Sequence, residues 1–316
     1  MLITVIVPIY NMEAYLCTSL DRLLQQSFQD YEILLIDDGS RDQSLSVMRQ
    51  LRRKDPRVAF ISLSRNFGKE NAMLAGFDHA SGDCVIILDA DLQHPPALIP
   101  DMLHLWEEGA QDVYARRDIA RESWLRRRLS RLYYSLLNRS TRFDVLENVG
   151  DFRLLDRRCI LALRQLRESQ RYTKGMYVWI GFKKQEISYH EQKRTAGQSS
   201  FNFRRLADLA IDGLTSYTTA PLRLSTLIGL LSALLAILYM VYVFIKTLVV
   251  GEAVQGFPTI VILILFLGGV QLISLGIIGE YLGKVFIETK RRPVYLIDRM
   301  EGVDHVLTKK EEENAQ

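Results

Sequence analysis

Two carboxylates one residue apart end a short apolar run in Cys84-Val-Ile-Ile-Leu-Asp89-Ala-Asp91-Leu-Gln93-His-Pro95-Pro96. Val85 to Leu88 read as a buried strand, closed by the Pro-Pro break. Open α/β sheets bind ligands beyond the C-terminal ends of their strands, which is where Asp89 and Asp91 fall. In extended backbone, residues two apart point to one side, so these two charges repel unless a cation lies between them. The fitting guest is a hard divalent ion that bridges to a substrate phosphate. Alone, an Asp-x-Asp triplet is more often a solvated turn. The strand before it, and the membrane-length apolar runs far downstream, favour a metal–phosphate site beside a lipid surface.

Such a site needs a rigid sheet behind it, and residues 1–115 supply the pattern. Strands are predicted at Leu2–Val7, Tyr31–Ile36, Val58–Leu63, Val85–Leu88 and Asp112–Tyr114. Helical patterns lie near 12–27, 42–54, 68–79 and 97–108. This alternation predicts a Rossmann-like α/β domain, a mostly parallel sheet with helices on both faces. Residues 116–145 form a basic, amphipathic helical stretch. Residues 150–200 read as a smaller mixed region with one more strand around Gln185–His190.

Composition narrows the class. The chain has 316 residues, enough for about two domains, and a net charge of only +3, which implies no global polyanion-binding surface. Cys17, Cys84 and Cys159 are far apart and lack metal-type spacing, as expected of reduced thiols in a cytosolic compartment. The histidines show no zinc-protease pattern. The N-terminal Met-Leu-Ile-Thr-Val-Ile-Val-Pro reads as a first strand and not as a signal peptide.

Leu224–Val250 is apolar with one charge, Lys246, and Phe257–Leu282 is apolar with one charge, Glu280. Each run exceeds the roughly 20 residues that span a bilayer as a helix. The connecting stretch, Gly251–Gly256, lacks Lys and Arg, whereas Arg204, Arg205, Arg223, Lys284, Lys290, Arg291 and Arg292 flank the pair. The positive-inside rule therefore predicts the loop outside and both termini in the cytoplasm. Within Phe203–Tyr217, Leu206, Leu209, Ala210 and Leu214 share one helical face, as in a helix lying on a membrane surface. The expected layout is a cytoplasmic domain over 1–200, an amphipathic juxtamembrane region over 201–223, two spans within 224–283 and a cytoplasmic tail over 284–316. Gly279 and Gly283 have the spacing of a close helix contact.

The strand ends carry a set of motifs: Val5-Ile-Val-Pro8-Ile-Tyr10-Asn11-Met-Glu13, Leu34-Leu-Ile-Asp37-Asp38-Gly39-Ser40, Ser64-Arg65-Asn66-Phe67-Gly68-Lys69-Glu70-Asn71 and Asp89-Ala-Asp91-Leu-Gln93. In this order they resemble the family 2 glycosyltransferases of GT-A fold. The remainder, including Gly279 to Pro293, resembles the polyprenyl-phosphate branch of that family, and within it the bactoprenol glucosyltransferases of O-antigen modification. Dolichol-phosphate mannosyltransferases are more distant relatives. The resemblance implies an inverting transfer of glucose from UDP-glucose to undecaprenyl phosphate at the bacterial inner membrane. It also implies Mg²⁺ or Mn²⁺ as cofactor and a homotetramer. UDP-N-acetylglucosamine, UDP-galactose and GDP-mannose remain alternative donors, and a silent lipid-carrier-binding module is a remoter alternative. A processive synthase is disfavoured because no Arg-Trp pair occurs.

The residues fit those roles chemically. Tyr10 can stack on a base, Glu13 can accept from a ribose hydroxyl, and Pro8 and Asn11 shape the same opening. By the family pattern Asp37 or Asp38 bonds the uracil, and strand alternation lets only one of them face inward easily. Gly68 and Lys69 open a helix, a good place for phosphate contact. The resemblance implies that Asp89, Ala90 and Asp91 line the donor and that Asp89 and Asp91 hold the metal, with Gln93 a neighbouring ligand in some relatives. For the acceptor phosphate the pattern implies Arg116 or Arg117, Arg126 and Ser130 one helical turn apart, and Arg194. Asp151, in Asn148-Val-Gly-Asp151-Phe-Arg153, is the expected active-site carboxylate, as base or as positioning group. Asp91 is the second residue assigned to catalysis. Many relatives carry Lys where this chain has Ser200, which shifts expected phosphate contact toward Arg194.

Overall fold

The structure, a computed structural model, describes residues 2–24, 28, 30–90, 94–117, 128, 149–169, 171–189, 220–250 and 256–303. The chain forms two compact units. The first holds the described residues up to Tyr189 and also takes back residues 292–303. The second holds the long C-terminal helices through Arg291.

The first unit is built on one eight-stranded sheet in the order β7-β5-β6-β4-β1-β2-β3-β8. The strands are β1 Ile3–Ile9, β2 Tyr31–Asp37, β3 Val58–Leu63, β4 Cys84–Ile87, β5 Asp112–Arg117, β6 Val149–Asp156, β7 Lys184–Tyr189 and β8 Ile297–Glu301. Strands β4, β1, β2 and β3 are parallel neighbours. Nearly every residue of these four is buried, as their continuous Val, Ile and Leu runs require. Alternation splits the core into two layers. Val5, Val7, Ile33, Leu35 and Ile86 face one cluster with helices α1 (Leu16–Leu24), α2 (Ser44–Lys54) and α4 (Ile99–Glu107). Ile6, Leu34, Ile36, Val85 and Ile87 face the other, with α3 (Lys69–His79), α5 (Arg157–Gln165) and α6 (Thr173–Trp179).

The predicted parallel core and its helices are therefore present, with shifted ends. Two strands go beyond the sequence expectation. β6 inserts antiparallel between β4 and β5. Its sequence, Val-Gly-Asp-Phe-Arg-Leu-Leu-Asp, hides the strand signal because Asp151 and Arg153 are polar yet buried. β8 falls within the expected tail but pairs antiparallel with β3 and caps that sheet edge. All its residues are exposed, so no buried face marks it in the sequence.

In the second unit, α7 (Ala220–Val250) and α8 (Phe257–Thr289) pack on each other. Both run past the apolar limits read from the sequence, because helical backbone bonding does not stop where apolar composition does. Among the described residues one segment, Phe266–Thr289, is long and apolar enough to cross a membrane, and Leu224–Tyr239 is a shorter apolar helix. The longer one is not buried within the chain. Around Gly279 and Gly283 nothing described lies within 4 Å of where a Cβ would stand. The expected juxtamembrane helix, residues 203–217, lies outside the described residues.

Candidate active site

Strand order reverses at β1, with β2 on one side and β4 on the other. This is the switch point where such sheets open a crevice beyond their C-terminal ends. The segments that follow β1, β2, β3 and β4 meet there.

The loops are locked to one another by side chains. Asn11, at φ +52°, donates its backbone N–H to Ser40 Oγ at 2.9 Å, and its Oδ1 accepts from Arg41 N at 2.8 Å. Glu13 Oε2 accepts from Gln43 N at 2.7 Å, at the start of α2. Tyr10, the residue after β1, stays exposed at 43%. Gly39 sits at φ +66°, and a Cβ there would stand 2.4 Å from the carbonyl carbon of Arg65. Only glycine lets the β2 and β3 loops touch in this way.

Both acids after β2 are buried. Asp37 accepts from Ser40 N at 2.9 Å and Ser62 Oγ at 2.8 Å. Asp38 accepts from Phe67 N at 2.7 Å and Gly68 N at 2.9 Å. Burial pushes the Asp38 carboxyl up, against the pull of those two backbone donors. This corrects the expectation that alternation turns only one acid inward. The strand stops at Asp37, so Asp38 lies in a loop where period-two alternation no longer applies. In this structure both acids hold loops. Gly68, at φ +93°, then starts α3 and presents Lys69.

Lys69 is the centre of the site. Its Nζ lies 2.7 Å from Asp89 Oδ1 and 2.6 Å from Asp151 Oδ2. The β4–β6 pairing explains the meeting. Cys84 faces Asp156 and Ile87 faces Arg153; β4 ends there, and the next two residues of the chain carry Asp89 to the level of Asp151. Burial acts to lower the Lys69 pKa, but the charges of Asp89 and Asp151 outweigh it and hold the ammonium protonated well above its ordinary range. Burial likewise acts to raise the Asp151 carboxyl, and the Lys69 charge overrides it and lowers it. Asp151 Oδ1 is buried and has no hydrogen-bond partner among the described residues. Ala90 is buried beside Asp89, and Pro8 is part of β1.

A buried polar frame stands behind Asp151. Arg153, two residues on and on the same side of β6, bonds Asp112 at 3.0 and 3.2 Å, with both side chains almost fully buried. Its guanidinium carbon lies 3.6 Å from the Tyr177 ring centroid. Burial pushes the Asp112 carboxyl up, against the Arg153 charge. Glu70 Oε2 accepts from Thr173 N at 3.1 Å, and burial together with the Asp151 charge pushes its carboxyl up to about 7. His94 is buried, stacks on Phe152 at 5.0 Å and places Nδ1 4.0 Å from Asp89 Oδ2. Sequence reasoning assigned no role to Glu70, His94, Asp112, Arg153 or Tyr177. For Arg153 a signal existed, since it shares a strand face with Asp151.

The structure thus joins Lys69, Asp89 and Asp151. Arg116 pairs with Glu186 on β7 at 3.2 Å, and Arg117 ends β5. Asp91, Gln93, Arg126, Ser130 and Arg194 lie outside the described residues. Among the described residues no group of three metal-ligating side chains converges. Asp89 nevertheless suits a hard cation, because it offers carboxylate oxygen and already holds a positive charge in the form of the ammonium.

A mostly parallel α/β sheet with its acids at the switch crevice, followed by an apolar helix hairpin, is the architecture of a GT-A transferase with a C-terminal hairpin. The chain belongs to glycosyl transferase family 2, whose family pattern matches residues 4–163, and residues 220–285 match the GtrB C-terminal hairpin family. CsbB, a provisionally named glycosyltransferase of Bacillus subtilis (strain 168), is 44% identical over 94% of this chain and 91% of its own length. A bactoprenol glucosyl transferase of Shigella phage SfV is 42% identical over 94% of this chain and 98% of its own. A prophage bactoprenol glucosyl transferase homolog of Escherichia coli (strain K12) is 39% identical over 95% and 99%. Among solved structures, the mannosyltransferase PcManGT from Pyrobaculum calidifontis aligns at 17% identity and a TM-score of 0.48, over 67% of this chain and 62% of that one.

Proposed function

We propose that this chain transfers glucose from UDP-glucose to undecaprenyl phosphate, with inversion, on the cytoplasmic face of the bacterial inner membrane. The product is polyprenyl-phosphate glucose for O-antigen or other cell-envelope glycosylation. The observation that carries this reading is identity of 39–42% to bactoprenol glucosyl transferases over at least 94% of the chain, spanning both the catalytic unit and the hairpin. The exposed apolar helices and the Lys and Arg on their outer flanks support a two-span anchor with both termini cytoplasmic and residues 251–256 outside. The open glycine face of Gly279 and Gly283 supports helix contact between copies in a homotetramer.

In this reading Tyr10 stacks on the base. Asp37 and Asp38 hold the loops that shape the nucleoside pocket. Asp89, with Asp91 and Gln93, would hold Mg²⁺ or Mn²⁺, which when bound neutralises charge on the leaving UDP. The anomeric carbon loses its bond to the UDP oxygen and gains one to a lipid-phosphate oxygen from the opposite face. That oxygen is already anionic at neutral pH, so no strong base is needed. Asp151, whose carboxyl the Lys69 ammonium holds below its ordinary range, acts by positioning sugar and acceptor. Arg116, Arg117, Arg126, Ser130 and Arg194 receive the acceptor phosphate.

The test is a donor panel with purified chain in detergent, undecaprenyl phosphate, Mn²⁺ and each UDP- or GDP-sugar in turn. Glucose transfer from UDP-glucose alone is expected, and Asp89→Asn should reduce it at least a hundredfold. Transfer only from GDP-mannose, or full activity of Asp89→Asn, would refute the donor or the metal assignment respectively.

A further inference from the structure

We infer that Lys69 is the resident counter-cation of the Asp89–Asp151 pair and must yield Asp89 when a divalent ion arrives, so that the chain carries an internal competitor for its own metal. The inference rests on the metal-dependent reading above.

Three observations carry it. First, one ammonium serves both carboxylates, at 2.7 Å from Asp89 and 2.6 Å from Asp151. Without it, two acids brought within reach of one ammonium would repel. Second, a divalent ion takes carboxylate oxygen at about 2.0–2.6 Å. A divalent ion on Asp89 Oδ1 would be forced against the ammonium already there, and one on Oδ2 would still sit a carboxylate's width from it, so like charge disfavours holding both. Third, Lys69 is able to leave. Its ammonium is desolvated between the two acids, but the side chain as a whole is 41% exposed on a flexible four-carbon stem, whereas Asp151 is only 11% exposed. Asp38 fixes the backbone of Gly68, not the Lys69 side chain.

The destination follows from position. Lys69 is the first residue of α3, at the switch-point crevice, where a helix N-terminus suits phosphate oxygen. Released from Asp89, its ammonium keeps Asp151 as partner and turns toward phosphate oxygen. Nucleotide therefore helps metal bind by giving the displaced ammonium a new anion, and metal helps nucleotide by the same amount. Lys69 is a charge that changes partners.

The experiment titrates Mn²⁺ into the detergent-solubilised full chain and follows free Mn²⁺ by electron paramagnetic resonance, with and without saturating UDP. Lys69→Met is expected to bind Mn²⁺ without UDP at least tenfold more tightly than wild type, whereas Lys69→Arg stays within about threefold. UDP should then tighten Mn²⁺ binding more in wild type than in Lys69→Met. If Lys69→Met binds Mn²⁺ no more tightly than wild type while UDP-loaded wild type does bind it, the competitor role is refuted and the metal reading stands. If no protein binds Mn²⁺ under either condition, the metal reading falls and this inference falls with it. Should Lys69→Met lose its native circular dichroism, the comparison becomes Asp151→Asn against Asp151→Asn/Lys69→Met, where the double variant must bind more tightly.

Discussion

Removing the Arg153 guanidinium isolates what the buried frame contributes. Arg153 is 2% exposed, Asp112 is fully buried, and their contacts are 3.0 and 3.2 Å. Arg153→Met leaves Asp112 desolvated without its partner, and breaking one side of a buried pair costs about 3–5 kcal/mol. For a domain of this size that corresponds to a fall in thermal midpoint of roughly 6–20 °C. Asp112→Asn should cost a similar amount, because it strands the cation. The double variant removes both charges, so its loss should be at least about 2 kcal/mol smaller than the summed single losses. Thermal unfolding followed by circular dichroism on the full chain measures all three. Because Arg153 shares a strand face with Asp151, Arg153→Met should also lower kcat at least tenfold at a temperature where it is folded, with KM for UDP-sugar changed less than threefold. Single-variant costs under about 1 kcal/mol, or a strictly additive double variant, would show that the pair is not coupled. An unchanged kcat would show that Arg153 does not help to place Asp151.

Glu70 gives a pH signature. Its folded carboxyl, pushed up to about 7 from an ordinary 4.5, lends stability that is complete below about 4.5 and is lost as pH rises through 7. Glu70→Gln should therefore match wild type near pH 5 and melt about 5–10 °C higher at pH 8, from a penalty on the order of 3 kcal/mol; an equal offset at both pH values contradicts this. Gly39→Ala, which would force a Cβ to 2.4 Å from Arg65 at a positive φ, should move the loop before Gly68 and weaken UDP binding at least tenfold by calorimetry. Unchanged UDP affinity would mean the loop contact does not shape the nucleoside pocket. A cysteine placed by Ala253→Cys should react with an impermeant maleimide added to intact cells, and one placed by Ser81→Cys should not; the reverse pattern would invert the proposed orientation.

Much of the parallel core was readable because each strand is a near-continuous apolar run and each helix repeats at its own period. Asp89, Lys69 and Asp151 were each singled out by residue type and motif. β6 escaped because buried Asp151 and Arg153 break its apolar pattern, and β8 escaped because an exposed edge strand needs no apolar face. The family pattern gives one of Asp37 and Asp38 to the base. The structure uses both on loop backbone and Ser62, a role visible only once β3 lies beside β2.

The sequence alone pointed to the class of chemistry, because its strand-end motifs and C-terminal apolar runs together resemble one family of transferases. Local patterns carry that information because periodicity and motif spacing are properties of neighbours in the chain. What only the tertiary structure decided is that Asp89 and Asp151, 62 residues apart, sit opposite each other with one ammonium between them. That meeting depends on the antiparallel register of β6 on β4, a long-range pairing that is fixed by the packing of the whole sheet and leaves no periodic trace in either segment.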